Sequence, residues 1–196
     1  MSNFNNSFWE DITNVSLEAY EPLLTFDQIK HREMSNNSEF LYHVSRDENA
    51  NTITFHPRLP GDNELIRDGF EDGKVARVCF SDSIGHCLRA FDAWCMKQFK
   101  KKDTLPLTVY VVSKKDIPKN KFISNETIVE KKLVPDAEYT HECWVLQPVV
   151  LRKYCKIKVT GYTKIANIEL KNKEGKVVNN IPIYDCEYKL KLCKLQ

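Results

Sequence analysis

The stretch RVCFSDSIGHCLRAF, residues 77–91, predicts a buried strand that turns at once into an amphipathic helix. Its first four residues alternate in polarity as a strand does. Ser81, Asp82 or Ser83 can each cap the helix, because a side-chain oxygen there accepts a hydrogen bond from an unpaired backbone amide. One cap suffices, so the other two residues of this serine corner (residues 81–83) are free for another role.

The helix is predicted from apolar residues that recur at three- and four-residue steps and form one stripe. These residues are Ile84, Cys87, Leu88, Phe91, Trp94, Cys95 and Phe99. Strands are predicted at 40–45 (FLYHVS), 52–55, 107–113 (LTVYVVS), 127–133, on both sides of a bend at Pro148, in a hairpin that turns at Glu174-Gly175, and at 184–193. The fold class is therefore α+β, with a mixed, strand-rich sheet and one main amphipathic helix packed on it.

We expect one compact core with a short extension at each end. The amino-terminal helical appendage spans 1–39, the core α+β domain 40–155, and a carboxy-terminal β extension packed on the core 156–196. A short helix is predicted in the appendage from Thr25 to about Met34. Residues 56–76 hold two prolines and three glycines and predict a long ordered loop, a type of segment that is often functional.

Composition narrows the class of protein. The apolar fraction is 42% and the charged fraction 29%, as in ordinary globular proteins, and no apolar run is long enough to span a membrane. The net charge of +2 is too small to indicate nucleic acid. The amino terminus lacks a secretory pattern, and seven cysteines with irregular spacing indicate reduced thiols, so a cytoplasmic protein is expected.

Glu142 is the strongest single candidate for a working group. It lies in THECWVLQP, residues 140–148, inside an apolar run. Strand alternation puts it on the same side as Trp144 and Leu146, which disfavours plain exposure to solvent. Burying a carboxylate beside large apolar side chains is costly unless it has a partner. Carboxylates in such surroundings are often functional groups.

A second candidate is His43, which strand alternation points away from Tyr42 and Val44. It is either a half-buried histidine bonded to a backbone carbonyl or one of several polar groups in a site. The residues of the serine corner that do not cap the helix, together with His86 on its first turn, lie at a positive helix end that suits an anion such as phosphate.

A third candidate is Arg58, which stands between two prolines in TFHPRLPGDNE. Two interpretations stay open for it. An ion pair with Glu71 would pin the loop, whereas a rigid guanidinium would contact phosphate or carboxylate on a ligand.

Metal and nucleophile patterns are weak. No CxxC or HExxH occurs. His141 and Cys143 share a predicted strand face but need an orienting third group. Neither a zinc site nor a cysteine nucleophile is expected.

Taken in order, LYHVS, RVCFSDSIGHCL and THECWVL resemble the ADP-ribosyltransferase superfamily, the mixed fold shared by diphtheria-type toxins and poly-ADP-ribose polymerases. In that superfamily a histidine or arginine on the first strand holds the adenine-side ribose of NAD. A strand-to-helix corner shapes the nicotinamide pocket, and a glutamate on a later strand contacts the nicotinamide ribose. The resemblance covers residues 41–146 in three short pieces. The block LYHVS…FHPRLP…FEDG…RVCFSDSI also looks like small uncharacterised bacterial and phage proteins, which implies no activity.

The resemblance implies Glu142 and His43 as catalytic residues and NAD as a substrate. Together with the reasoning above, it gives these candidates for binding NAD: Tyr42, Arg58, Arg77, Phe80, Ser81, Ser83 and His86. The arginine-modifying subgroup has a glutamate or glutamine where this chain has Thr140, so arginine modification is disfavoured. The serine corner also lacks the central threonine of that subgroup and the tyrosine of the histidine-tyrosine-glutamate subgroup.

The function expected from these features is an NAD-dependent ADP-ribosyltransferase-like enzyme that binds a nucleotide or dinucleotide and transfers to an acceptor such as a protein. The first alternative is a non-catalytic nucleotide- or protein-binding module of the same fold, acting in bacterium-phage conflict. The second is a structural or interaction domain in which these residues only pack and cap. Neither a membrane nor a nucleic acid is indicated as a partner.

Overall fold

The computed structural model describes residues 39–46, 50–61, 63–91 and 105–192, with side chains to residue 190. The predicted helix at Thr25 to Met34, most of the appendage, and Trp94, Cys95 and Phe99 of the helical stripe lie outside these residues. Within them the strands are β1 Phe40–Ser45, β2 Thr52–Phe55, β3 Val78–Phe80, β4 Leu105–Ser113, β5 Phe122–Ile123, β6 Cys143–Val145, β7 Val149–Lys171 and β8 Val177–Leu192. The α-helices are α1 Glu64–Arg67, α2 Ile84–Ala90, α3 Asn125–Glu130 and α4 Ala137–Thr140.

The strands form two antiparallel sheets. The larger sheet has the order β1-β4-β7-β2, and β8 also pairs with β7. The smaller sheet has the order β3-β6-β5. About half of the described residues lie in strands and a few form short helices, so the protein is α+β and strand-rich, as the sequence predicts.

A backbone bridge joins the two sheets at the serine corner. The Tyr42 amide donates to the Ser81 carbonyl at 2.9 Å, and the Ser81 amide donates to the Tyr42 carbonyl at 3.1 Å. Because β3 in turn pairs with β6, the chain segments of β1, β3 and β6 lie side by side. Residues far apart in sequence on these three strands are thereby neighbours.

Helix α2 packs on one face of the larger sheet. Ser83 caps it, since its Oγ accepts a hydrogen bond from the His86 amide at 3.1 Å, so one residue of the serine corner makes the predicted cap. Ile84, Cys87 and Leu88 form its buried face, which confirms the first part of the predicted stripe.

The other face of the larger sheet packs on the smaller sheet. Leu41 and Tyr110 from the larger sheet contact Phe80 and Val145 from the smaller one in a shared apolar cluster. A third cluster joins Trp144 to Ile128 and Ala137, which lie on or beside α3 and α4. Each fully buried side chain of this size stabilises the fold by about 1.5–3 kcal/mol, so these contacts fix β3 and β6 firmly in place.

The strand predicted at 127–133 is wrong, because residues 125–130 form helix α3. Ser124 caps this helix, and its Oγ accepts a hydrogen bond from the Thr127 amide at 3.4 Å. The buried Ile128 then packs beside Trp144, so helical spacing satisfies the apolar residues that suggested a strand.

The last quarter of the chain contains a long hairpin of β7 and β8. Its turn includes Gly175 at φ +79°, a left-handed conformation that favours glycine, as the Glu174-Gly175 prediction requires. The boundary expected between 155 and 156 falls inside β7. In the part of the chain that the structure describes, no helix is long and apolar enough to cross a membrane.

Candidate functional site

Glu142 precedes β6 and lies against three polar groups. Its Oε1 accepts a hydrogen bond from the Trp144 indole Nε1 at 2.6 Å. Its backbone carbonyl accepts from Asn125 Nδ2 at 3.2 Å, and the same amide donates to the Ala137 carbonyl at 2.8 Å. The Cys79 thiol is a third neighbour, close enough for the carboxylate to raise its pKa. The half-buried carboxylate therefore has a defined position, set by β3, β6, α3 and α4.

Arg77 contacts the same tryptophan that bonds to Glu142, with its Cζ 4.0 Å from the centroid of the Trp144 ring. Its guanidinium is buried and donates to Glu71 Oε1 at 2.9 Å and to the Asp72 carbonyl at 2.9 Å. Burial raises the pKa of the Glu71 carboxyl, and the positive charge of Arg77 opposes that rise. The ion pair that pins the loop is thus formed by Arg77 and not by Arg58.

The thiol of Cys79 sits between Arg77 and Glu142. The residue is exposed at its edge, yet the groups packed around the thiol and the negative charge of Glu142 raise its pKa well above the ordinary value. At neutral pH it is a protonated thiol beside the carboxylate. It is therefore unsuited to act as a nucleophile.

His43 lies on β1 and contacts β3, the strand that contains Cys79. Its Nδ1 lies 2.9 Å from the Cys79 carbonyl, which only accepts, so Nδ1 carries the hydrogen and Nε2 keeps its lone pair. The ring packs against Phe55 and Phe80, with centroids 4.4 and 5.8 Å away. Burial lowers the pKa of His43, the Cys79 carbonyl opposes this, and the Arg58 cation lowers the pKa further. His43 is thus the half-buried histidine on a backbone carbonyl, and it points away from Tyr42 as predicted.

The predicted site residues divide by exposure. His43, His86 and Glu142 are half-buried and Arg58 is exposed, so these four have surface that a ligand can reach. The other candidates are buried, at 0% exposure for Tyr42, 2% for Phe80, 3% for Ser81, 4% for Arg77 and 7% for Ser83. His43 and Glu142 both contact Cys79, so the structure brings these two candidates to the same strand.

A second polar cluster, which we call the Asp82 cluster, consists of Asp82, His86 and His141. The Asp82 carboxylate accepts a hydrogen bond from Nδ1 of His86 and another, at 2.8 Å, from Nδ1 of His141. The two imidazole rings are stacked, with centroids 3.8 Å apart and planes 29° apart. Burial acts to raise the pKa of Asp82, but the bonds from the two histidines outweigh it and hold that pKa below its ordinary value.

Only part of this cluster is indicated by the sequence pattern. Asp82 and His86 are four residues apart across a helix start, a spacing at which side chains meet. For His141, the sequence predicts instead a strand face shared with Cys143. In the structure, His141 ends α4 at φ 47° and turns toward Asp82, whereas the Cys143 thiol is buried and donates to the Phe80 carbonyl at 3.6 Å.

A groove of about 430 Å³ lies elsewhere, at the end of β4 and the start of β7. Val112, Gln147 and Arg152 are among its lining residues. None of the predicted site residues lines it. The polar residues that are candidates for a functional site therefore lie at the small sheet and the serine corner, away from this groove.

Neither a scan against protein-family models nor a search of the curated proteins found a match to this chain. A function is therefore inferred from the side chains of the protein itself. Two sets of groups are available for that inference, those around Glu142 and the Asp82 cluster.

Proposed function

We propose that this protein is an NAD-dependent ADP-ribosyltransferase-like enzyme with the corresponding fold. One observation supports this best: β1, β3 and β6 are lateral neighbours, so His43, Ser81 and Glu142 come from three adjacent segments. This is the order in which the superfamily resemblance uses a first-strand histidine, a strand-to-helix corner and a later glutamate.

In this proposal Glu142 is the catalytic carboxylate. Cleavage of the bond between nicotinamide and ribose builds positive charge on the ribose, and a fixed carboxylate stabilises that charge. The Trp144 indole, 2.6 Å away, and the Asn125 amide, which holds the backbone, fix Glu142 before the substrate arrives. Little reorganisation is then needed during the reaction.

His43 is the proposed binding group for the adenine-side ribose. Its Nε2 lone pair can accept a hydrogen bond from a ribose hydroxyl, because Nδ1 is already engaged with the Cys79 carbonyl. Its lowered pKa keeps the ring neutral at neutral pH. Arg58, exposed and close enough to affect His43, is the proposed contact for the pyrophosphate.

The proposed reaction breaks one bond and forms one. The N-glycosidic bond breaks, and nicotinamide leaves with its electron pair. An acceptor nucleophile, or water when no acceptor is present, bonds to the ribose carbon and releases its proton to solvent. Because water suffices, the reaction is measurable without knowing the acceptor.

The test measures nicotinamide release from NAD by the purified protein, with NAD affinity measured by calorimetry. Glu142→Gln should lower the rate by about 100- to 1,000-fold, since it removes the charge that stabilises the transition state, and leave NAD affinity within a few-fold. Glu138→Gln, at an exposed position on α4, is the matched control and should retain full activity. Full activity in Glu142→Gln, or no release by the wild type, would contradict the proposal.

The non-catalytic binding module of the same fold is the second candidate. One observation favours it: Phe80 and Ser81 are buried and leave little of the serine corner exposed to a ligand. Under this alternative NAD or ADP-ribose raises the melting temperature by mass action, but no nicotinamide is released.

A further inference from the structure

We propose that the Asp82 cluster is a binding site for a divalent transition metal of the zinc type, with Asp82, His86 and His141 as ligands. The inference stands apart from the proposed function, because it concerns other side chains and needs no NAD. Two imidazoles and one carboxylate are a donor set that Zn²⁺, Fe²⁺ and related ions accept.

Distances support the proposal first. One potential ligand atom from each of the three residues lies within 4.8 Å of the others. Metal–nitrogen and metal–oxygen bonds of about 2.0–2.2 Å place two ligand atoms at most about 4.4 Å apart. All three ligand atoms are thus near enough to share one ion, and those in direct hydrogen bonds, such as His141 Nδ1 and Asp82 Oδ2 at 2.8 Å, have to move apart to admit it.

The backbone holds the ligands together. Asp82 lies in the serine corner and His86 one turn further along α2, whereas His141 ends α4. Arg89 fixes α2 against α4, because its Nη1 donates to the Tyr139 carbonyl at 2.9 Å. The two histidine-bearing segments are thus positioned before any ion binds.

Exposure and charge also fit a metal site. The side chains of Asp82, His86 and His141 are 15%, 19% and 27% exposed, which leaves an approach from solvent and room for water as a further ligand. Asp82 supplies a negative charge that offsets part of the charge of the ion. On binding, each histidine would give its Nδ1 lone pair to the metal and carry its hydrogen on Nε2.

The experiment titrates Zn²⁺ into the metal-stripped full-length protein and measures binding by calorimetry. One ion per chain is expected, with a rise in melting temperature. Asp82→Asn and His86→Gln should each weaken the affinity by at least about 100-fold, because changes of groups outside the ligand shell already cost about 10- to 100-fold. His56→Gln, at an exposed histidine outside the cluster, is the matched control and should bind as the wild type does.

A second measurement needs no variant protein and guards against misfolding and against binding by free thiols. In ¹⁵N spectra of the wild type, Zn²⁺ should shift the imidazole resonances of His86 and His141 toward the Nε2–H form and leave those of His56 unchanged. Absence of zinc binding, binding that persists in Asp82→Asn, or bound zinc that leaves both histidine resonances unchanged would overturn the proposal.

Discussion

Replacing Arg77 by methionine tests how the small sheet holds the groups around Glu142. The guanidinium of Arg77 is buried and bonds to Glu71, to Asp72 and to the Val75 carbonyl at 3.2 Å. It also lies against the Trp144 ring. Methionine keeps the length and apolar contact of the side chain but removes the charge and every donor.

The expected cost is large because the carboxylates stay behind. Removing one partner of a buried ion pair typically destabilises a protein by about 3–5 kcal/mol. The Glu71 side chain is 17% exposed, which is buried enough for this range to apply, and loss of the cation–π contact adds about 0.5–2 kcal/mol. We therefore expect Arg77→Met to lower the free energy of unfolding at pH 7 by about 3.5–7 kcal/mol.

The cost should depend on pH through Glu71. Burial already raises the pKa of Glu71 above 4.5 in the folded protein, so its stabilising contribution is present at low pH and lost as pH rises through the folded pKa. Without Arg77 that pKa rises further, because the charge that opposed the rise is gone. The destabilisation by Arg77→Met should therefore shrink as pH falls from 7 toward 4.5.

Urea denaturation followed by circular dichroism at several pH values measures this effect. Arg58→Met, at the exposed residue bridged to Arg77 by backbone bonds, is the control and should change the free energy of unfolding by less than about 0.5 kcal/mol. The double variant Arg77→Met/Glu71→Gln should be more stable than Arg77→Met alone. A loss below about 1 kcal/mol for Arg77→Met, or no change in it with pH, would refute this account of the ion pair.

Three further substitutions probe the site and its supports. Below pH 6.5 the unfolded chain binds a proton at His43, whereas burial keeps His43 neutral in the folded protein. The wild type should therefore lose up to about 1.4 kcal/mol of unfolding free energy per pH unit as the pH falls. In urea melts, His43→Asn should show a flatter pH dependence. Equal slopes in both proteins would contradict this. Ser83→Ala should cost about 1 kcal/mol of unfolding free energy by loss of the α2 cap, and an unchanged urea midpoint would count against the cap. Asn125→Ala removes two bonds to backbone carbonyls, including that of Glu142, and should slow nicotinamide release while NAD affinity changes little. Wild-type turnover in this variant would show that Glu142 does not depend on Asn125.

Local sequence patterns were enough for most of the fold. The alternation in FLYHVS predicts β1 and the opposite orientations of His43 and Tyr42, and the serine corner predicts both the start of α2 and its cap. The hairpin turn at Gly175 follows from the one residue type that tolerates its backbone angle freely. Helix α3 was missed because a short apolar run fits a strand or a helix until its packing partner, Trp144, is known.

The candidate site depends on contacts that local sequence patterns do not predict. The partner of Glu71 is Arg77, six residues away, because Arg77 is buried over Trp144 while Arg58 remains exposed. The meeting of Asp82 with His141, across 59 residues, results from the packing of α2 against α4. Alternation does place Glu142 beside Trp144, but the indole hydrogen bond that fixes the carboxylate is visible only in three dimensions.

Nuclear magnetic resonance of the full-length protein during a titration with NAD tests most directly whether Glu142 and His43 share one ligand site. The indole Nε1–H resonance of Trp144, assigned with Trp144→Phe, reports on the carboxylate that it contacts, and the His43 imidazole reports on the other end of the site. We expect NAD to shift both resonances with a single dissociation constant, while the exposed His56 stays unchanged. If saturating NAD moves neither resonance, or moves them with unrelated affinities, these residues do not form one NAD site.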